Sequence, residues 1–196
     1  MGSLRCPDYG RTRESSGLPV FEDHLLVDPA EQPEEPSCLE VPRDFYWILG
    51  GPAPLAGMVF PPFTGVLWDE LSDFGFRSVV CLSESDPAYD PFPLLLTWSG
   101  ELEDLHHGWS PLDPERELLK IRAATDVVVG ELEADRGVIV HCRGGIGRTG
   151  TVLAASLVQL GLDQEASITH IESINLARGH DWPESDWHLE AIDRCF

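Results

Sequence analysis

Positive charge is scarce in this sequence. Of its 196 residues, 13 are lysine or arginine and 34 are aspartate or glutamate, which gives a formal net charge of −21 at pH 7. Lys120 is the only lysine. A surface this acidic repels the phosphates of nucleic acids and of anionic membranes, so we expect neither as a partner.

Cysteines are few, and their spacing fits neither a metal site nor a disulfide framework. They are spread over the whole chain, at Cys6, Cys38, Cys81, Cys142 and Cys195. An odd, scattered set is typical of a protein from a reducing compartment. Since a signal peptide and a long apolar segment are also missing, we expect a cytoplasmic protein that uses no metal and no other cofactor.

The first part of the chain has little hydrophobic periodicity. Residues 1–41 contain several prolines and an acidic run from Glu31 to Glu40. This composition predicts a partly irregular extension, which is either a loosely held solvated tail or a segment that docks on the domain through apolar stretches at 18–21 and 25–27. Residues 42–196 are numerous enough to bury the core of a single domain. The sequence does not indicate an oligomeric state.

From residue 45 onward, short apolar runs alternate with amphipathic segments. Strands are predicted at 45–49, 57–60, 77–82, 94–98 and 137–141, and helices at 64–74, 114–134, 149–160, after Asp163 and after Pro183. Asp113 is a suitable N-cap for the long helix, and Gly75 is a suitable stop for the first one. This alternation predicts an α/β fold, a mostly parallel central sheet flanked by helices, with a ligand site at the carboxyl ends of the strands.

One stretch brings a nucleophile, glycines and an arginine into close succession: His141–Gly150, HCRGGIGRTG. It lies between the last predicted strand and an apolar helix. Backbone N–H groups that converge at a helix N-terminus stabilise a thiolate and bind an anion. Glycines let such a loop turn inward, and the planar fork of Arg148 can grip two phosphate oxygens. The stretch predicts Cys142 as nucleophile in a phosphate site formed by Arg143, Gly144, Gly145, Ile146, Gly147 and Arg148.

This stretch resembles the signature loop of the cysteine-dependent protein tyrosine phosphatase superfamily. Two flanking segments, Pro42–Gly57 and Leu71–Glu84, are similar to the first strand and the following helix and strand of small atypical dual-specificity phosphatases of the VHZ type. The resemblance covers about residues 42–195. It implies the phosphatase fold, a phosphocysteine intermediate on Cys142 and no cofactor.

In this family, an aspartate on the loop before the long helix protonates the leaving oxygen. The corresponding segment here runs from Leu102 to Asp113, and Asp104 stands where the family carries its acid. Asp113 is the main alternative, although helix capping explains it better. Glu101 and Glu103 also remain open as proton donors.

The resemblance implies supporting roles for four more side chains. Thr149 resembles a hydroxyl that hydrogen-bonds the thiolate, and capping the following helix is its alternative. His141 is expected to tune Cys142 through the backbone. Glu84 resembles a glutamate that orients the loop arginine, with an exposed loop residue as the alternative. His188 stands near the position at which many relatives carry a glutamine that orients the hydrolytic water.

Three potentially reactive side chains lie outside the signature stretch. His106 and His107 have no further ligands near them in sequence, so we expect them to line the acid-bearing loop rather than to bind a metal. Cys81 resembles a cysteine that forms a disulfide with the nucleophile in a related lipid phosphatase. A small buried strand residue is the alternative for Cys81.

The resemblance implies a phosphatase for phosphotyrosine, and for phosphoserine or phosphothreonine, in proteins. The tyrosine-bearing loop that deepens the pocket of tyrosine-specific members has no counterpart here. Lipid phosphatases of the superfamily carry lysines inside the loop, whereas only Arg143 accompanies Arg148, so phosphoinositides and RNA 5′-phosphates rank lower. A phosphate-binding module with weak turnover and a sulfurtransferase are the alternatives from other classes.

Overall fold

A computed structural model describes residues 25–30, 32, 45–61, 66 and 68–196 of the protein. The strands are β1 (Leu25–Leu26), β2 (Phe45–Gly50), β3 (Leu55–Met58), β4 (Phe76–Cys81), β5 (Ser83–Glu84), β6 (Leu95–Glu101) and β7 (Gly137–His141). The helices are α1 (Trp68–Asp73), α2 (Pro114–Glu133), α3 (Gly147–Gln159), α4 (Gln164–Ala177) and α5 (Asp186–Cys195).

The strands of the described residues form a mixed sheet in the order β1-β2-β3-β7-β4-β6-β5. The four central neighbours β3, β7, β4 and β6 are parallel, and antiparallel strands extend the sheet on both sides. The predicted α/β fold with a mostly parallel centre is therefore confirmed.

The central strand β7 determines where the site lies. All five of its residues are buried, as expected for a parallel strand covered on both faces. Val138 and Val140 face α2, α3, α4 and α5, whereas Ile139 faces the smaller cluster that includes α1. Because side chains alternate along a strand, Cys142 lies on the same face as Val140, at the carboxyl end of β7.

Most helices begin at the residues that the sequence indicated. The Asp113 carboxylate accepts a hydrogen bond from the backbone N–H of Arg116 at 3.1 Å and caps α2, and Asp163 caps α4 in the same way through Ala166. Helix α3 begins at Gly147, two residues before the predicted start at 149, because the loop turns directly into the helix. Its first turn is thereby part of the site.

The first helix differs from the prediction, and only a small part of the N-terminal extension is described. Helix α1 is short, and the predicted start at Thr64 lies outside the described residues; Gly75, with φ of 100°, ends the segment as predicted. Within the predicted extension, β1 pairs with β2, and the Gln32 side chain accepts from the backbone N–H of Trp47 at 2.9 Å. Residues 1–24, 31 and 33–44 lie outside the described part.

Candidate active site

The loop between β7 and α3, residues 142–148 (the signature loop), is tied to the domain through its carbonyl groups. The carbonyls of Arg143, Gly145 and Gly147 accept hydrogen bonds from the Phe60 N–H, the Tyr46 hydroxyl and the Trp182 indole N–H, at 3.2, 2.9 and 3.2 Å. Because the N–H of a trans peptide points away from its carbonyl, the N–H groups of these three peptides point away from the three donors. The sequence predicted the cradle but not the three donors that shape it.

At Gly145 of the loop, a side chain would collide with backbone. Its φ is 66°, and a Cβ there would lie 2.7 Å from the backbone carbonyl of Met58. This close approach lets the Gly145 N–H donate a hydrogen bond to Cys142 Sγ at 3.2 Å. The Cys142 sulfur is thus held by the backbone of its own loop.

Thr149 lies in the first turn of α3, the helix that follows the signature loop. The N-cap of α3 is Ile146, and no side chain caps this end, so the capping alternative for Thr149 is wrong. The threonine is fully buried, and its hydroxyl has no hydrogen-bond partner within the described residues. A buried hydroxyl without a partner is costly, which fits an interaction with Cys142 when the sulfur is charged.

His141 is separated from the sulfur by the sheet. It precedes Cys142 and points to the opposite face, where its Nε2 meets the hydroxyl of Tyr89. Burial lowers the pKa of His141 to about 3, so the imidazole is neutral near pH 7. This geometry excludes His141 as the base of a cysteine–histidine hydrolase pair, and its effect on Cys142 through the backbone stays a prediction.

The two other predicted catalytic groups touch each other. The guanidinium of Arg148, whose side chain is 8% exposed, lies with Nη2 at 3.0 Å from Oδ1 of Asp104. Its Nη1 donates to the carbonyl oxygen of Leu102 at 3.3 Å. The Asp104 carboxylate is 59% exposed and therefore reaches solvent at the edge of the signature loop.

Two of the three rival carboxylates make structural contacts. Asp113 caps α2, and both oxygens of Glu103 accept from the N–H of Leu112, at 3.1 and 3.0 Å. Glu101 is exposed, and no contact with the signature loop is recorded for its side chain among the described residues. Asp104 remains the carboxylate in contact with Arg148.

His106 and His107 lie on the same loop as Asp104. Both are exposed, and the ring of His106 meets the edge of Trp109 at a centroid distance of 5.7 Å. Within the described ranges, no three histidine, cysteine, aspartate or glutamate side chains are grouped so that they could hold a metal ion.

Glu84 contacts a different arginine from the one expected. Its Oε1 accepts from Nη2 of Arg143 at 2.7 Å, and the Arg143 guanidinium lies 5.3 Å from the centroid of the Phe60 ring. Arg148 is instead engaged by Asp104 and by a backbone carbonyl. The reason is position, since Glu84 is on the edge strand β5 and reaches only the exposed arginine of the loop.

His188 lies against the other end of the signature loop. A Cβ on Gly147 would lie 2.8 Å from Cε1 of His188 and 2.1 Å from Oε2 of Glu184, so both side chains line the loop. Burial and the charge of Arg148 lower the pKa of His188 to about 4. A neutral imidazole with an Nδ1 that has no partner within the described residues fits the expected water-orienting position.

The family of the chain follows from a comparison with protein-family models. The model described as "PTP-SAK: Swiss Army Knife protein, DSP-PTPase phosphatase domain" matches residues 42–180. The chain belongs to this family. Its PTP-SAK domain is a cysteine-dependent phosphatase domain of the dual-specificity fold, in agreement with the signature loop.

Solved structures share the fold of this PTP-SAK domain at low sequence identity. Tk-PTP in its active form is 21% identical, with a TM-score of 0.51 over 72% of this chain and 90% of that chain. The human tyrosine phosphatase-like serine/threonine/tyrosine-interacting protein is 13% identical, with a TM-score of 0.53 over 71% and 89%. Human DUSP28 is 16% identical, with a TM-score of 0.51 over 66% and 82%.

Cys81 of the PTP-SAK domain lies across the sheet from Cys142. It is aligned with His141 in the parallel β4–β7 pair, so both side chains lie on the same face. Cys142 lies on the other face, in the cluster that contains Val80 and Leu82. This arrangement does not bring the two sulfurs together, and the alternative, a small buried strand residue, fits the fully buried Cys81.

The two buried histidines make the stability of the PTP-SAK domain sensitive to acid. Their folded-state pKa values, about 3 for His141 and about 4 for His188, lie below the unfolded value, so unfolding takes up protons below pH 6.5. Stability is therefore complete above that pH and falls as the pH drops toward 4. We expect the contribution of each histidine to lower the free energy of unfolding of the protein by about 2 kcal/mol between pH 7 and pH 5. Urea unfolding at the two pH values should show a smaller loss of stability for His188→Gln than for the parent protein. An equal loss in the two proteins would contradict the role of His188.

Among the described residues, no helix has the length and the apolar composition needed to cross a bilayer.

Proposed function

We propose that this PTP-SAK domain is a protein phosphatase for phosphotyrosine, and for phosphoserine or phosphothreonine. The observation that carries the proposal is the contact between Arg148 and Asp104 beside the loop of Cys142. A nucleophile, a phosphate ligand and a proton donor are the three groups that hydrolysis through a phosphocysteine needs.

In the first step, the Cys142 thiolate attacks phosphorus in line with the ester oxygen. The sulfur–phosphorus bond forms while the phosphorus–oxygen bond breaks, and the Asp104 carboxyl gives its proton to the leaving oxygen. Arg148 and the inward N–H groups of the signature loop bind the equatorial oxygens, where charge accumulates. The product is a phosphocysteine and the free hydroxyl of the substrate.

In the second step, water attacks the phosphocysteine. Asp104, now a carboxylate, accepts a proton from this water as the sulfur–phosphorus bond breaks and phosphate forms. The departing thiolate is stabilised by the Gly145 N–H and by the Thr149 hydroxyl. We assign the orientation of the water to His188, which is buried beside Gly147.

The charges at the rim support a substrate with one phosphate. A substrate with several phosphates needs several free cations, and the loop offers Arg143 in addition to Arg148. Arg143 is already paired with Glu84 at 2.7 Å, in a protein whose formal net charge is −21. A single phosphate on a peptide meets these conditions better than a phosphoinositide or an RNA 5′-phosphate.

A substrate panel tests the proposal. Phosphate release is measured in the presence of a chelator with phosphotyrosine, phosphoserine and phosphothreonine peptides, short-chain phosphoinositides and a 5′-phosphorylated RNA. We expect at least one class of peptide to exceed the lipid and the RNA in kcat/KM by about tenfold or more. Acid quenching during turnover, followed by mass mapping, should locate a phosphate on Cys142.

Three results would contradict the proposal. A preference for the lipid or the RNA would assign the site to a non-protein phosphomonoester. Tight phosphopeptide binding without turnover by the intact protein would identify a phosphate-binding module. Turnover that disappears with the chelator would exclude the cysteine mechanism.

A further inference from the structure

A charged pair on α2 holds the backbone that leads into Asp104. Oε1 of Glu117 accepts a hydrogen bond from the N–H of Glu103 at 2.7 Å. Nζ of Lys120 donates to the carbonyl oxygen of Glu101 at 2.6 Å. Glu117 therefore binds the peptide group between residues 102 and 103, and Lys120 binds the one between residues 101 and 102. The two side chains lie one helical turn apart on α2.

The two side chains also form an ion pair with each other, and both are largely shielded from solvent. Oε2 of Glu117 lies 3.0 Å from Nζ of Lys120, and their side chains are 3% and 29% exposed. Lys120 is the only lysine of the chain. The other buried residues of α2 are mostly apolar, such as Leu118 and Ile121.

Stability alone is a weak reason for this pair. Taking a carboxylate and an ammonium out of water costs about as much as their attraction returns, and a well-packed apolar residue at such a position is often neutral or stabilising. What an apolar residue at position 117 could not supply is the acceptor for the Glu103 N–H. The charged pair is therefore better explained by its hydrogen bonds to the loop backbone than by the stability of the core.

Asp104 depends on this support because its own contacts are few. Its side chain is 59% exposed, and its recorded partner among the described residues is Arg148. Proton transfer requires the carboxyl within hydrogen-bond reach of the leaving oxygen, about 2.6–3.2 Å. A displacement of about 1 Å of a reacting group can cost on the order of a hundredfold in rate.

We propose that Glu117, together with Lys120, is a positioning residue for the proton donor: it fixes the backbone at Glu103 and thereby the carboxyl of Asp104. The inference rests on the proposed role of Asp104 as the acid. Glu117 itself touches neither the substrate nor the reacting atoms.

The test compares leaving groups, because only a poor leaving group needs an acid. The protein, Glu117→Leu and Asp104→Asn are assayed with phenyl phosphate and with dinitrophenyl phosphate. For Glu117→Leu we expect kcat/KM to fall about tenfold to a hundredfold with phenyl phosphate and to change little with dinitrophenyl phosphate. Asp104→Asn should show the same pattern with a larger fall. The inhibition constant of inorganic phosphate should stay near that of the parent protein in Glu117→Leu.

Two further variants separate positioning from a loss of folding. Glu117→Gln keeps an oxygen acceptor for the Glu103 N–H and should recover most of the lost rate. Glu131→Leu removes a paired glutamate at the far end of the same helix, where it binds Arg136, and should leave both rates unchanged. If Glu117→Leu does not fold, Lys120→Met gives the same test from the other member of the pair.

The outcomes distinguish this inference from the proposed function. Equal losses with both esters, or no loss with either, in a folded Glu117→Leu would overturn the positioning role while the Asp104 pattern stands. An Asp104→Asn variant without any dependence on the leaving group would overturn the acid itself, and with it the role of Glu117.

Discussion

Replacement of Cys142 by serine is expected to lower the turnover of para-nitrophenyl phosphate by about 10⁴-fold or more. A serine hydroxyl is a far weaker nucleophile than a thiolate, and the loop offers it no neighbouring base, since His141 points to the other face of the sheet. The inward N–H groups and Arg148 remain, so we expect the affinity for a phosphopeptide to be kept. Initial rates and isothermal titration measure the two quantities.

Cys195→Ser is the matched control for this substitution. Cys195 is a half-buried cysteine at the end of α5, outside the signature loop and the loop that carries Asp104. Its serine variant should keep the parental rate. If Cys142→Ser retained more than about a tenth of the parental rate, the phosphocysteine mechanism would be wrong.

The core of the site could be predicted because its chemistry is local in sequence. Cys142, the loop glycines and Arg148 lie within seven consecutive residues, between an apolar strand and an apolar helix. No long-range contact is needed to bring such residues together. The strands and helices likewise follow from local patterns, and the caps at Asp113 and Asp163 lie where the sequence indicated.

The support around the loop could not be predicted because it comes from distant parts of the chain. Tyr46 and Trp182 donate to loop carbonyls from β2 and from the segment between α4 and α5. In the sequence, each is an aromatic residue in an apolar context and therefore indistinguishable from ordinary core. Burial raises the pKa of Tyr46 above its ordinary range, which keeps its hydroxyl a donor to Gly145.

The face on which a strand residue lies and the partner of a buried helix residue also depend on distant parts of the chain. Cys81 and Leu82 are neighbours in sequence, but a strand turns successive side chains to opposite faces, and only Leu82 shares the face of Cys142. The family resemblance named Cys81 as the partner, whereas the alternation of side chains along β4 places it on the face opposite Cys142. Glu117 was overlooked for a related reason, since a glutamate on a helix is usually exposed.

Replacement of Arg148 by lysine is expected to be nearly as damaging as the loss of the nucleophile. Lysine keeps the positive charge but replaces the planar fork with a single ammonium group. Arg148 already spans Asp104 and the carbonyl of Leu102. In the proposed mechanism, the same fork also has to grip phosphate oxygens beside Asp104. One ammonium cannot hold the phosphate in two directions and stay in contact with the acid-bearing loop. We therefore expect kcat/KM to fall by about 10³-fold, through a lower kcat and a higher KM.

Arg136→Lys is the matched control, because Arg136 makes its ion pair with Glu131 at a distance from the signature loop. The rate of this variant should stay parental.

A second measurement follows the melting temperature as inorganic phosphate is added, since a ligand that binds the native state stabilises it. The parent protein and Arg136→Lys should be stabilised, whereas Arg148→Lys should not respond at the same concentrations. A rate for Arg148→Lys within about tenfold of the parent would mean that charge alone binds the phosphate. The fork, and the contact with Asp104 that depends on it, would then have no part in the chemistry.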